Sequence, residues 1–189
     1  MPHPHADALA RLDAWTGPSE YQTALAQAYV AFLTARPDAC DRACAPGHLT
    51  AAAMVFSAEL THVALVLHGI VGAWIQAGGH LESTDATLVD AAAREVHEEL
   101  GLLVELDPVP VTLHCHPITC RGYEQVTRHL DVRFLGRVTA AAELAVSSES
   151  RDVAWWPVDA LPPGIFPEVR DLVELGRARL LGHGAPRPR

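Results

Sequence analysis

Residues Gly78 to Leu103, GGHLESTDATLVDAAAREVHEELGLL, read as a glycine-rich turn running into one amphipathic helix. Thr87 and Asp90 make an N-terminal capping pair, and Gly101 suits the left-handed position that closes a helix. At about 100° per residue, Leu88, Val89, Ala92, Ala93, Val96 and Leu100 share a broad apolar face. Glu95, Glu98 and Glu99 gather on the adjoining face with Arg94 just beyond, while Asp90 and His97 point to water. Carboxylates at this spacing repel one another by roughly 0.2–0.5 kcal/mol a pair. The helix dipole adds about 0.3–1 kcal/mol for each negative charge at a C-terminus. A solvated acidic face would explain the glutamates alone, but the preceding GGHLE shifts the balance. Two glycines let the backbone turn sharply and expose carbonyls. Carboxylates plus a main-chain oxygen form an all-oxygen site suited to a hard cation, Mg²⁺ or Mn²⁺, whose charge offsets the crowding.

The rest of the composition removes several alternatives. All 14 basic residues are arginine, so there is no lysine for a Schiff base or a Walker-A loop. No Gly-x-Ser-x-Gly elbow is present. A formal net charge of −9 argues against a nucleic-acid polymer as partner, because such binding needs a basic stripe. An anionic small molecule is compatible, provided a cation mediates. No run approaches the roughly 20 apolar residues of a membrane span, and the first residues lack a basic-then-apolar leader, so a cytoplasmic protein with no membrane contact is expected. Cys40, Cys44, Cys115 and Cys120 lack the C-x2-C spacing of a zinc ribbon. His48, His114 and His116 lie near them in sequence, so a zinc site stays open beside the plainer reading of reduced, structural cysteines.

Along the chain, Ser19 and Gln22 form a capping box for a helix through Leu25, Tyr29, Phe32 and Leu33, ended by Pro37. LTAAAMVFS and HVALVLH read as two strands of a hairpin, followed by the short run AWIQA. LLVEL, VTLHCHPI, RHLDVRFLGRV and DVAWWPV read as later strands. FPEVRDLVELGRARLL reads as a terminal helix with Val169, Leu172, Val173, Leu175 and Leu180 inward. The organisation is an N-terminal helical extension over 1–45, an α/β domain over 46–182 and a tail over 183–189.

The central stretch resembles the Nudix box, G-x5-E-x7-R-E-U-x-E-E-x-G-U, where U is a bulky aliphatic residue. Gly79 fills the first position, and Arg94, Glu95, Val96, Glu98, Glu99, Gly101 and Leu102 complete the second half in register. Two positions depart from the pattern: Asp85 replaces the first glutamate, and eight residues rather than seven separate it from Arg94. An extra residue just before a helix can be absorbed in the loop, which leaves Asp85 a bracing role. The resemblance runs from about Leu49 to Leu161 and includes ESRDVAWWPVDALP, with residues 1–45 outside the shared core.

The resemblance implies a Nudix-type α/β/α sandwich with a mixed central sheet. It also implies a hydrolase that cleaves a pyrophosphate bond in a nucleoside diphosphate linked to another moiety, with Mg²⁺ or Mn²⁺ as cofactor. Glu95, Glu98, Glu99 and the Gly78 carbonyl would be the metal ligands, and Arg94 would orient the glutamates. The general base is open among Glu99, Glu149 and Glu124. Arg121, Arg128 and His129 are candidates for phosphate contact, and Trp74 for base stacking. Homodimers are common among similar proteins. The competing reading is a non-catalytic nucleotide sensor or interaction module on the same fold. An isomerase-type relative would need a cysteine and a glutamate in the cleft.

Overall fold

The computed structural model of the chain describes residues 4–69, 71–120, 122–139, 141–146 and 150–182. Two helices, α1 (Pro4–Ala14) and α2 (Glu20–Ala35), precede the strands β1 (His48–Phe56), β2 (His62–His68), β3 (Trp74–Ile75) and β4 (Ala77–His80). Helix α3 (Leu88–Leu100), strands β5 (Leu106–Ile118), β6 (Thr127–Arg137) and β7 (Ser150–Pro157), and helix α4 (Pro167–Leu180) follow. The expected α/β class holds. The strands form one mixed sheet in which β1 runs parallel to β6 and antiparallel to β2 and β4, with β5 at one end and β3 at the other.

Strand β1 is buried along its whole length, as a strand covered on both faces should be. Its side chains alternate between two cores. Leu49, Ala51, Ala53 and Val55 join Leu88, Ala92, Val96 and Leu100 of α3 and the inner faces of α1 and α2. Met54 and Phe56 join Val169, Leu172 and Val173 of α4. Helices therefore lie on both sides of the sheet, the sandwich implied by the resemblance.

Helix α3 has the expected ends. The Thr87 hydroxyl accepts the Asp90 N–H, and Gly101 closes the helix with φ 70°. The carboxylate of Asp7 in α1 also accepts the Leu88 N–H at 2.9 Å, covering another open donor of the first turn. The extension is thus fastened to α3. It also covers the outer edge of β5. The Gln22 side-chain amide donates to the Leu113 carbonyl at 2.9 Å and its oxygen accepts the Leu113 N–H at 2.6 Å, while the Tyr29 hydroxyl donates to the His114 carbonyl at 2.9 Å. These bonds occupy backbone groups that an edge strand otherwise leaves open to another chain. Ala8, Leu12, Trp15, Ala26, Tyr29 and Leu33 belong to the same core cluster as the sheet.

Three local expectations are corrected. LLVEL is not a strand: only Leu106 enters β5, because the chain after Gly101 must first leave the helix, and β5 then runs to Ile118 with a register shift against β6 between Asp107 and Thr112. AWIQA is not one run but two short strands parted at Gln76. The two glycines are not a turn. Gly78 and Gly79 sit in β4, opposite Ala52 and Ala51 of β1, and neither has a positive φ. Their need for glycine is one of space. A Cβ on Gly78 would lie 2.4 Å from the Ala52 Cβ and 2.8 Å from the Ala51 carbonyl oxygen, whereas one on Gly79 would lie 2.6 Å from Glu95 Oε1.

Gly78→Ala is accordingly expected to cost at least the upper end of the roughly 1–3 kcal/mol typical of overpacking, since fixed backbone and a methyl block it. Gly79→Ala meets the movable end of a side chain and is expected to cost clearly less. Urea denaturation of both variants checks the order; equal costs would contradict this account.

Candidate active site

The site is assembled where α3 passes beside β4. Arg94 is its hub. Its Nε and Nη2 donate to the two oxygens of Asp85 at 3.1 and 3.0 Å, a bidentate pair, and Nη2 also donates to the His80 carbonyl at 2.8 Å. Nη1 donates to Glu95 at 3.0 Å and to Glu98 at 2.9 Å. Asp85 is buried and also accepts the Glu82 N–H at 2.7 Å. The residue that departs from the box pattern therefore braces the loop and the arginine together. The shorter aspartate still reaches because the extra residue lies in the loop between Asp85 and the helix.

Glu99 is 8% exposed, and one of its oxygens accepts the Gly78 N–H at 2.9 Å. Glu95 stands over Gly79 in the space a Cβ would fill. Glu98 is exposed at the helix rim. The glutamates line one side of the cleft without converging on one point, because Arg94 holds Glu95 and Glu98 while the β4 backbone holds Glu99. Three carboxylates, Asp85, Glu95 and Glu98, pair with the guanidinium of Arg94, and a fourth, Glu99, is held on the Gly78 N–H. This anionic, all-oxygen donor set fits a hard divalent cation.

Beyond β4 the sheet is polar on its α4 side. Thr50 donates to Asp131 at 3.1 Å, and Arg133 donates to Asp131 at 2.7 Å and to the Glu168 carbonyl at 3.4 Å. His114 and His116 share this face, stacked with ring centroids 5.2 Å apart. Their buried Nδ1 atoms and the Oε1 of Gln76 have no hydrogen-bond partner among the described residues. Buried polar atoms of this kind call for a partner, whether water, an ion or a polar ligand.

His129 lies in this region against His48, His80 and Cys120. Burial, then the neighbouring imidazoles, push its pKa down to about 3. Burial, then Arg42, pushes His80 down to about 4. His129 is therefore neutral near pH 7, and any phosphate contact it made would be a hydrogen bond rather than an ion pair. Arg128 is exposed at the start of β6, with Nη1 on the Thr127 carbonyl. Trp74 is half-buried edge-on against Trp156, centroids 5.4 Å apart, within the α4-side core. Glu124 is exposed between β5 and β6. Arg121 and Glu149 lie outside the described residues. Cys115 is exposed on β5. The Asp7 cap and the grouping of His80 with His129 went unread in the sequence. Only the strand register, which pairs His48 with His129 and Thr50 with His80, reveals the latter.

The NUDIX domain family profile matches residues 47–175. Among solved structures, an Ap4A hydrolase from C. elegans in a binary complex superposes with TM-score 0.57 at 17% identity, covering 71% of this chain and 98% of that one. A MutT NUDIX hydrolase from Burkholderia pseudomallei gives 0.54 at 18%, covering 68% and 97%. The NUDIX domain of Shewanella oneidensis NrtR, solved with ADP ribose, gives 0.51 at 20%, covering 70% and 87%. No curated protein sequence matches the chain. The chain belongs to the NUDIX domain family. Within it, the second half of the box is complete in this chain, with Arg94, Glu95, Glu98 and Glu99 in register. Among the described residues, no helix is long and apolar enough to cross a membrane.

Proposed function

We propose that the protein hydrolyses a pyrophosphate bond in a nucleoside diphosphate linked to another moiety, in a reaction that depends on Mg²⁺ or Mn²⁺. The observation that carries this reading is the arrangement around Arg94. One guanidinium fixes Asp85, Glu95 and Glu98 together, while Glu99 is anchored separately on β4. Glu95, Glu98, Glu99 and the Gly78 carbonyl would hold the cation. Bound there, it would neutralise pyrophosphate oxygens and lower the pKa of water.

The chain's own residues supply placement and proton transfer. Arg94 holds Glu95 and Glu98 at the cleft wall, and the Gly78 N–H holds Glu99. A carboxylate held in this way can accept a proton from an attacking water, a role we assign to Glu99, anchored on the Gly78 N–H. Phosphoryl chemistry demands little covalent work of the protein, so positioning and electrostatics account for the rate. The open polar atoms of Gln76, His114 and His116 are suited to the uncharged, hydrogen-bonding part of the substrate, such as a base or a sugar. They are not suited to phosphate, because these imidazoles are shifted toward neutrality by burial.

A phosphate-release screen over nucleotide sugars, dinucleoside polyphosphates and ADP-ribose-type compounds tests the reading. Turnover is expected with Mg²⁺ or Mn²⁺ and is expected to vanish with EDTA. Turnover indifferent to EDTA would refute the proposed metal dependence. Tight nucleotide binding without turnover across the panel would favour the sensor reading.

A further inference from the structure

We propose that the protein carries a second metal centre, a zinc site formed by Nε2 of His48, His80 and His129 and Sγ of Cys120, separate from the carboxylates of the Nudix helix. These four side chains are the group among the described residues whose ligand atoms all lie within 4.8 Å of one another. The spacing matches the chemistry. Zinc bonds of about 2.3 Å to sulfur and about 2.0–2.1 Å to nitrogen, at tetrahedral angles, put sulfur about 3.6 Å from each nitrogen. Cys120 Sγ lies 3.6 Å from His48 Nε2, 3.6 Å from His80 Nε2 and 3.2 Å from His129 Nε2. Three imidazoles converge by the same nitrogen on one thiol, which a set of merely packed histidines has no reason to do.

The outer contacts support the assignment. His48 Nδ1 lies 3.4 Å from the Cys44 carbonyl. A carbonyl can only accept, so this contact places the proton on Nδ1 and leaves the Nε2 lone pair facing Cys120, the usual arrangement behind a metal-bound histidine. His48 and Cys120 are buried and the other two half-buried. Imidazole and thiolate donors select zinc, whereas the all-oxygen set on α3 selects a hard cation. The two sets lie on opposite sides of β4: Gly79 faces Glu95, and the next residue, His80, faces the other way.

Four protein ligands close the site, which makes it structural rather than catalytic. It ties the β5–β6 connection, through Cys120, to β1, β4 and β6. It also fixes the backbone of His80, whose carbonyl receives Arg94 at 2.8 Å. Binding zinc releases the Cys120 proton to solvent.

Elemental analysis of the full chain, purified without chelator, tests the proposal together with cobalt substitution. About one zinc per chain is expected, falling at least fivefold in Cys120→Ser and in His129→Ala. Glu99→Gln is expected to retain it, which separates this site from the proposed catalytic one. Cobalt-loaded wild type is expected to show the visible bands of tetrahedral Co²⁺ and a thiolate charge-transfer band in the near ultraviolet. This readout decides the matter even if the variants do not fold. Wild type that neither carries zinc nor binds added ZnCl₂ at micromolar concentration would overturn the proposal. Zinc retained in both Cys120→Ser and His129→Ala, or lost in Glu99→Gln alone, would overturn it too.

Discussion

Arg94→Ala is expected to destabilise the protein by about 3–5 kcal/mol, the range for breaking a buried ion pair from one side. The effect belongs chiefly to Asp85. The side chains of Arg94 and Asp85 are 19% and 5% exposed, so removing the guanidinium strands a carboxylate that water cannot reach. The Glu98 pair is 52% exposed on the acid's side and contributes little, as exposed pairs do. Loss of Nη2 also leaves the His80 carbonyl without that donor. Arg94→Lys is expected to recover only part of the loss, because one ammonium cannot span Asp85, Glu95, Glu98 and a carbonyl at once. Asp85→Ala combined with Arg94→Ala is expected to cost less than the two single changes summed, since the double variant leaves neither partner charged and buried. Urea denaturation of the four proteins measures this. A cost under about 1 kcal/mol for Arg94→Ala would mean the loop is held by something else.

The same cluster shows what a sequence can and cannot disclose. Helix α3 was legible from Thr87 to Gly101 because its determinants are local: a hydroxyl that caps three residues on, an apolar face of fixed period, and a glycine free to take φ 70°. The sandwich was legible from the order of the elements and the resemblance. Gly78 and Gly79 were misread because glycine signals both turns and close contacts. Sequence does not say that Ala51 and Ala52 would lie directly opposite. LLVEL looked like a strand because its apolar pattern suits one, yet tertiary geometry starts β5 only at Leu106.

The histidine and cysteine cluster was the hardest to foresee. His48, His80, Cys120 and His129 come from β1, β4, the β5–β6 connection and β6, and no spacing within one element relates them. They meet because β1 and β6 pair in parallel with His48 opposite His129, and because β4 sets His80 opposite Thr50. Nearness in sequence suggested His48, His114 and His116 as partners for the cysteines, and of these His48 does meet Cys120. The strand register instead places His114 beside Asp131 and only His116 against His129. Asp7 eluded the sequence for the same reason, since its partner Leu88 lies 81 residues away.

Glu99→Gln is expected to lower kcat/KM by about 10²–10⁴-fold, the range for losing a proton-transfer group, while leaving the fold as stable or slightly more stable. The two effects have opposite signs for one physical reason. Glutamine has the size of glutamate and keeps an oxygen to accept the Gly78 N–H now held at 2.9 Å, so packing at this 8% exposed position survives. What disappears is a negative charge one turn from Glu95 and beside the C-terminal end of α3. Relief of the like-charge pair is worth roughly 0.2–0.5 kcal/mol, and relief of the dipole about 0.3–1 kcal/mol. A residue kept for stability would show the reverse, a weaker fold with activity falling only in proportion to the folded fraction. Steady-state kinetics at saturating Mg²⁺ and urea midpoints on the same preparations separate the two cases. If kcat/KM stays within about tenfold of wild type, or stability drops by more than about 2 kcal/mol, Glu99 is a packing residue and the proton must go to another carboxylate.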